Sequence, residues 1–204
     1  MSAPEGLDWP IYLGPAKMFT DITFKAFAEA TRKRSAEGYN EPLDATSAYG
    51  PEHWALMIQE EAGEVAGAVI GMLGMKKRKN HLTAVDVGKE IADVVAYCAC
   101  LAERSGSGFV DYGSRTFAAF ADSFRKEAIQ YGYVIWALKI QRATGVIADS
   151  IIKGGYDDHK LGIPIAHVVH CCACLAIRCG LDFQEIVRSK FNEVSDRIGS
   201  PVKL

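Results

Sequence analysis

The sequence predicts an all-α fold: a helical bundle made of two three-helix units in tandem, a pseudo-dimer in one chain, closed by a C-terminal helix. Three observations predict it. Two long apolar segments, WALMIQEEAGEVAGAVIGM and VGKEIADVVAYCACLAERSG, read as helices that each carry acidic residues three apart. Helix punctuation recurs at the expected places, with Pro51, the Thr83/Asp86 pair, Ser105-Gly106 and the Asp182/Glu185 pair. The chain also repeats itself. Thr23-Phe24-Lys25-Ala26-Phe27-Ala28 returns from Thr116 at an offset of 93, WALMIQEEAG returns as WALKIQRATG at an offset of 82, and CACLA returns from Cys172 at an offset of 74. The falling offsets mean that helices A, B and C were duplicated as D, E and F with two shortened loops.

Taken in order, residues 1–16 form an irregular arm broken by Pro4, Pro10, Pro15, Gly6 and Gly14. The first unit spans 17–106. Helix A runs from about Thr20, and its basic cluster Arg32, Lys33, Arg34 reads as a solvated end suited to the helix dipole. Turn residues fill 38–50, and helix B runs from Pro51 to about Met75. The run KKRKN, 76–80, reads as a charged helix end and loop, or as cations beside a polyphosphate. Helix C follows Thr83, with Asp86 closing a capping box, and stops at Gly106. The degenerate second unit spans 107–180. A last helix, in the segment 181–204, opens at Asp182 with Glu185 as capping-box partner and ends before Gly199 and Pro201.

The chain of 204 residues is 49% hydrophobic and 24% charged, enough for one sizeable core. Its net charge of −2 argues against a nucleic-acid surface. No apolar run is expected to reach the length of a membrane span, and the N-terminus lacks the apolar region of a signal peptide. Six cysteines, at 98, 100, 171, 172, 174 and 179, sit in apolar helical stretches, as reduced thiols of a cytoplasmic protein would.

Chemistry concentrates between Trp54 and Gly106. Glu61 and Glu64 on helix B, and Glu90 and Asp93 on helix C, each point off one face of their helix, and that face also carries core residues. Four buried like charges cost several kcal/mol per ion unless counter-cations arrive. All-oxygen ligation selects a hard divalent cation, Mg²⁺ with Mn²⁺ as substitute. The bland alternative is acids reaching solvent at the rim. In the repeat, Glu60, Glu61 and Glu64 become Arg142, Ala143 and Val146, while Glu90 and Asp93 become Pro164 and His167. Packing residues survive and the acids vanish, as expected if only one half keeps the site. His167, His170, Cys171 and Cys174 share a face of helix F, but ligands all on one helix do not easily close a tetrahedron, so they read as core thiols with satisfied histidines.

EEAGE followed by EIADVVAY resembles the ExxE…ExxD signature of the all-α nucleoside triphosphate pyrophosphatase superfamily, the MazG-like proteins and their relatives, and KFNEVSDRIGSPVKL resembles MazG-like C-termini. The resemblance implies Mg²⁺-dependent cleavage of a (deoxy)nucleoside triphosphate to the monophosphate and pyrophosphate, as in nucleotide-pool house-cleaning. It implies metal ligation by Glu61, Glu64, Glu90 and Asp93, and a nucleoside against Tyr97. It also implies phosphate or sugar contacts from Lys190, Asn192 and Arg197. Glu60 is a candidate to orient or deprotonate the attacking water, or to support its neighbours. The family builds sites where subunits meet, so the fused halves resemble a dimer, and the chain itself stands either as a monomer or as a homodimer. One departure matters: the closing helix follows the half that lost the signature, so its residues reach the site only by crossing over. Two other classes stay open, a non-catalytic nucleotide sensor and a di-metal carboxylate bundle, although the latter expects Glu-x-x-His motifs that neither acidic pair shows.

Overall fold

The computed structural model describes residues 21–44, 46–75, 81–108, 115–154 and 158–204. The arm 1–16, the proposed start of helix A at Thr20 and the basic run 76–80 lie outside them. Among the described residues the chain is all helical: α1 (Phe24–Gly38), α2 (Pro51–Met72), α3 (Ala84–Ser105), α4 (Phe117–Ser123), α5 (Arg125–Ala128), α6 (Tyr133–Ile152), α7 (Asp158–Arg178) and α8 (Phe183–Arg197).

The repeat is visible in matching local structure. Thr23 and Thr116 each cap a helix through the side-chain oxygen, which accepts from the amides of Ala26 and Ala119. The two entry segments then pair with each other. Phe24 N–H donates to the Arg115 carbonyl at 3.1 Å and Phe117 N–H to the Ile22 carbonyl at 2.9 Å. Their rings, both fully buried, stack at 4.1 Å. This reciprocity is what a local two-fold produces. Around it α2 packs on α6 and α3 on α7, while each of α2 and α6 also packs on its own following helix.

Most predicted ends hold, and the differences have local causes. α2 ends at Met72, short of Met75, because Gly74 turns left-handed at φ 65° and lets Met75 N–H reach back to the Ile70 carbonyl. The Thr83/Asp86 capping box is formed, and Gly106 ends α3 at φ 72°. Asp182 accepts from the Glu185 amide as expected, but the Glu185 carboxylate accepts from Arg188 and Ser189, so the reciprocal half of that box is missing. Helix D is not one helix. Ser123 donates back to the Phe120 carbonyl at 2.6 Å and the chain bends at Phe124, separating α4 from the single turn α5.

α7 corrects one expectation. Its stretch Lys160–Arg178 is long and apolar enough to cross a membrane, with mean hydropathy 1.7. It lies 72% buried in the centre of the bundle, against α3 and α6, which accounts for its composition. All six cysteines are free thiols, and five of them are buried.

Candidate functional site

α2 and α3 run side by side and bring their acids to one edge of the bundle. Carboxylate oxygens of Glu61, Glu64 and Glu90 lie within 4.8 Å of one another. The acids do not all project inward, as the sequence pattern had suggested: Glu64 is exposed and Glu61 and Glu90 are half-buried, so the cluster sits at a rim. Glu60, next to Glu61, is exposed on the outer face. Asp93, one turn along α3 from Glu90, is not among the three but is the strongest neighbouring charge on Glu61, and it is held by Lys190 of α8, Nζ to Oδ2 at 2.7 Å.

That contact is the crossing-over the sequence required. α8 follows the second unit but packs across α3 of the first. Gly88 allows it, because a Cβ there would meet Leu181 Cδ1 at 2.8 Å and Ile186 Cγ2 at 3.3 Å. The close approach lies two residues before Glu90, so it sets where α8 meets the acidic edge.

The electrostatics are those of a site short of positive charge. Burial, then the charges of Asp93, Glu64, Glu90 and Glu60, push the Glu61 carboxyl up to about 7. Glu90 is raised by burial and by Glu64 and Asp93, with Lys190 pulling it back only in part. Asp93 is raised as well: its desolvation outweighs the hydrogen bond and charge of Lys190. Burial lowers the Lys190 ammonium, but Asp93 more than offsets this and the net shift is upward. The pair therefore orients Asp93 without fully repaying the cost of burying it.

Beside the acids opens a cavity of about 360 Å³, lined by residues of α1, α2, α3 and α8 and by Tyr39, Glu41 and Tyr49. Asp93, Tyr97, Lys190 and Arg197 line it, so four of the residues singled out in the sequence meet there. Burial, then the Glu61 charge, raises the Tyr97 phenol to about 12, so it is a neutral hydrogen-bonding ring at working pH. Asn192 is elsewhere. Its amide Nδ2 donates to the Leu204 carbonyl at 3.1 Å and its Oδ1 accepts from Leu204 N–H at 2.9 Å, so it ties down the C-terminus.

Sequence reasoning missed Arg34, His53 and Thr31 as contributors, and left Trp54 unranked among the aromatics that could stack. Arg34, read there as a solvated helix end, is buried at 7% exposure; its guanidinium lies 3.8 Å from the Phe191 ring centroid and donates to the Phe191 carbonyl at 2.9 Å. His53 stacks on Tyr49 at 4.3 Å at the cavity wall. Trp54 and Thr31 each line the cavity and keep a buried polar atom, Nε1 and Oγ1, that has no hydrogen-bond partner among the described residues. The repeat offsets were the available signal for Trp54: its copy Trp136 donates Nε1 to the Ala128 carbonyl at 2.9 Å, so only one of the two indoles is satisfied.

Comparison with known proteins finds no matching family model, no matching curated protein and no matching solved structure.

Proposed function

We propose that the chain is a Mg²⁺-dependent nucleoside triphosphate pyrophosphohydrolase, converting a (deoxy)nucleoside triphosphate to the monophosphate and pyrophosphate. The observation that supports this is the convergence of Glu61, Glu64 and Glu90 within 4.8 Å, next to a cavity of nucleoside size. The donor set fits the ion. Three hard oxygen donors, with Glu61 raised to about 7 by burial and then by the neighbouring carboxylates, suit Mg²⁺ and leave room for water and phosphate oxygens.

When bound, the ion screens the charge of the triphosphate and polarises the attacking water. The protein's own groups do the rest. Glu61, Glu64 and Glu90 would hold the metal, with Asp93 joining them at the cost of part of its contact with Lys190. Lys190 and Arg197 face the cavity side of the acids and are placed to take phosphate oxygens. Tyr97 and Trp54, with ring centroids 6.2 Å apart, offer apolar walls for the base and sugar. Glu60 adds negative potential at Glu61 from the outer face.

The decisive experiment is pyrophosphate release from a panel of ribo- and deoxyribonucleoside triphosphates with Mg²⁺. Turnover of at least one is expected, with Glu64→Gln and Asp93→Asn folding normally and losing it. Binding without turnover across the panel would make the protein a nucleotide sensor instead, and full activity in either variant would remove the residue assignment.

A further inference from the structure

The second unit has a groove in the place that corresponds to the cavity, and it is filled. By the offsets of the repeat, Phe124 stands at the position of Thr31, Glu127 at Arg34, Lys139 at Met57, His170 at Ala96, Cys171 at Tyr97 and Cys174 at Cys100. The Phe124 ring lies 4.1 Å from that of His170, and the satisfied Trp136 lies against both α5 and α7. Closing a groove needs only apolar volume. What has accumulated here is a carboxylate, an imidazole and two thiols.

These groups converge. Ligand atoms of Glu127, His170 and Cys174 lie within 4.8 Å of one another, and so do those of His167, His170 and Cys171. The objection that all the donors sit on one helix falls, because Glu127 comes from α5 and the others from α7. Glu127 Oε2 and His170 Nε2 are 3.1 Å apart. Two tetrahedral zinc ligands with bonds of about 2.0–2.1 Å stand roughly 3.3 Å apart, so this pair already has the spacing of one ion's ligands.

We propose that this cluster is a structural Zn²⁺ site, with Glu127, His170 and Cys174 as ligands and Cys171, whose sulfur lies within 4.8 Å of a His170 ring nitrogen, as the fourth. Mixed thiolate, imidazole and carboxylate donors select zinc over the hard cation of the acidic edge. Binding releases one proton from each thiol, and the hydrogen between Glu127 and His170 moves to the far ring nitrogen, Nδ1, so that neutral His170 ligates through Nε2. Burial pushes both thiols up, Cys171 to about 11 and Cys174 to about 12, and the Lys139 ammonium, 3.8 Å from the Tyr131 ring centroid and 4.3 Å from that of Trp136, offsets only part of that. The site has a mechanical role. α5 is one turn of four residues, too short to persist on its own, and the ion would clamp it to the central helix.

The test is titration of the full chain with Co²⁺ as a spectroscopic stand-in. A sulfur-to-cobalt charge-transfer band and intense tetrahedral visible bands are expected, saturating at one ion per chain and bleached by Zn²⁺. Glu127→Gln and Cys174→Ser should each weaken Zn²⁺ binding at least about tenfold, while Cys179→Ser leaves it unchanged. Glu127 is partly exposed, so its variant reports even where Cys174→Ser does not fold. Absence of the charge-transfer band at stoichiometric cobalt, or its survival in both Glu127→Gln and His170→Ala, overturns the assignment. Pyrophosphate release plays no part in this readout, so the two proposals fail separately.

Discussion

Replacing Glu64 by glutamine should stabilise the metal-free protein while abolishing what metal does for it. Glu64 is exposed, and its carboxylate lies within 4.8 Å of those of Glu61 and Glu90. At that distance two like charges repel by roughly 1 kcal/mol in water and about twice that at a dielectric half as large. With Glu61, raised to about 7, partly protonated near neutral pH, relief of about 1–2 kcal/mol remains, which in a chain of this size raises Tm by roughly 3–6 °C. The pH dependence follows from Glu61. Its folded value of about 7 lies above the ordinary 4.5, so between these the folded chain keeps a proton that the unfolded chain has lost. Stability therefore falls as pH rises through that window, and the benefit of Glu64→Gln is larger at pH 8 than at pH 5.5. The assay is thermal unfolding at both pH values, with EDTA or with Mg²⁺. Mg²⁺ should raise Tm of the parent chain most at pH 8, and the variant should lose at least half of that gain. A variant that unfolds earlier than the parent in EDTA at pH 8, or that keeps the whole Mg²⁺ effect, refutes the reasoning.

Lys190→Met should cost about 2 kcal/mol at pH 8, because Asp93, 19% exposed, is left buried without its partner, and the cost should shrink as pH falls, because burial already raises the Asp93 carboxyl; urea unfolding at pH 8 and at acid pH checks this. Asn192→Ala should release the C-terminus and lower stability by about 1 kcal/mol with KM for any triphosphate substrate unchanged, since its amide is spent on Leu204. Thr23→Ala and Thr116→Ala should each cost about 1 kcal/mol in urea unfolding, two matching losses from two matching caps. A clear inequality between them would show that the halves no longer share the load at their junction.

Local signals were legible in the chain, and contacts across it were not. The Thr83/Asp86 box, the Gly106 stop and Asp182 as cap are written in neighbouring residues, and each appears in the fold. The bend at Phe124 was not, since FAAFADSFRKEA contains no glycine or proline; it depends on Ser123 bonding back and on Phe124 seating against Phe120 and His170. At the acidic edge the spacing revealed which helices carry the carboxylates but not how they divide. Glu61, Glu64 and Glu90 meet, while Asp93 is drawn off by a lysine 97 residues away in the chain. Arg34 was misread because a basic triplet at a helix end looks solvated whichever member turns inward, and only the packing of α8 shows that the third one does.

The backbone bridge between Thr23 and Thr116 carries a consequence for how such a molecule changes over time. In an assembly of identical subunits every substitution strikes both grooves at once, so a change that plugs one also destroys the other. Joining the copies end to end removes that coupling. One groove stays open while its twin accumulates bulk and new ligating groups, and each can be tuned without penalty to its neighbour.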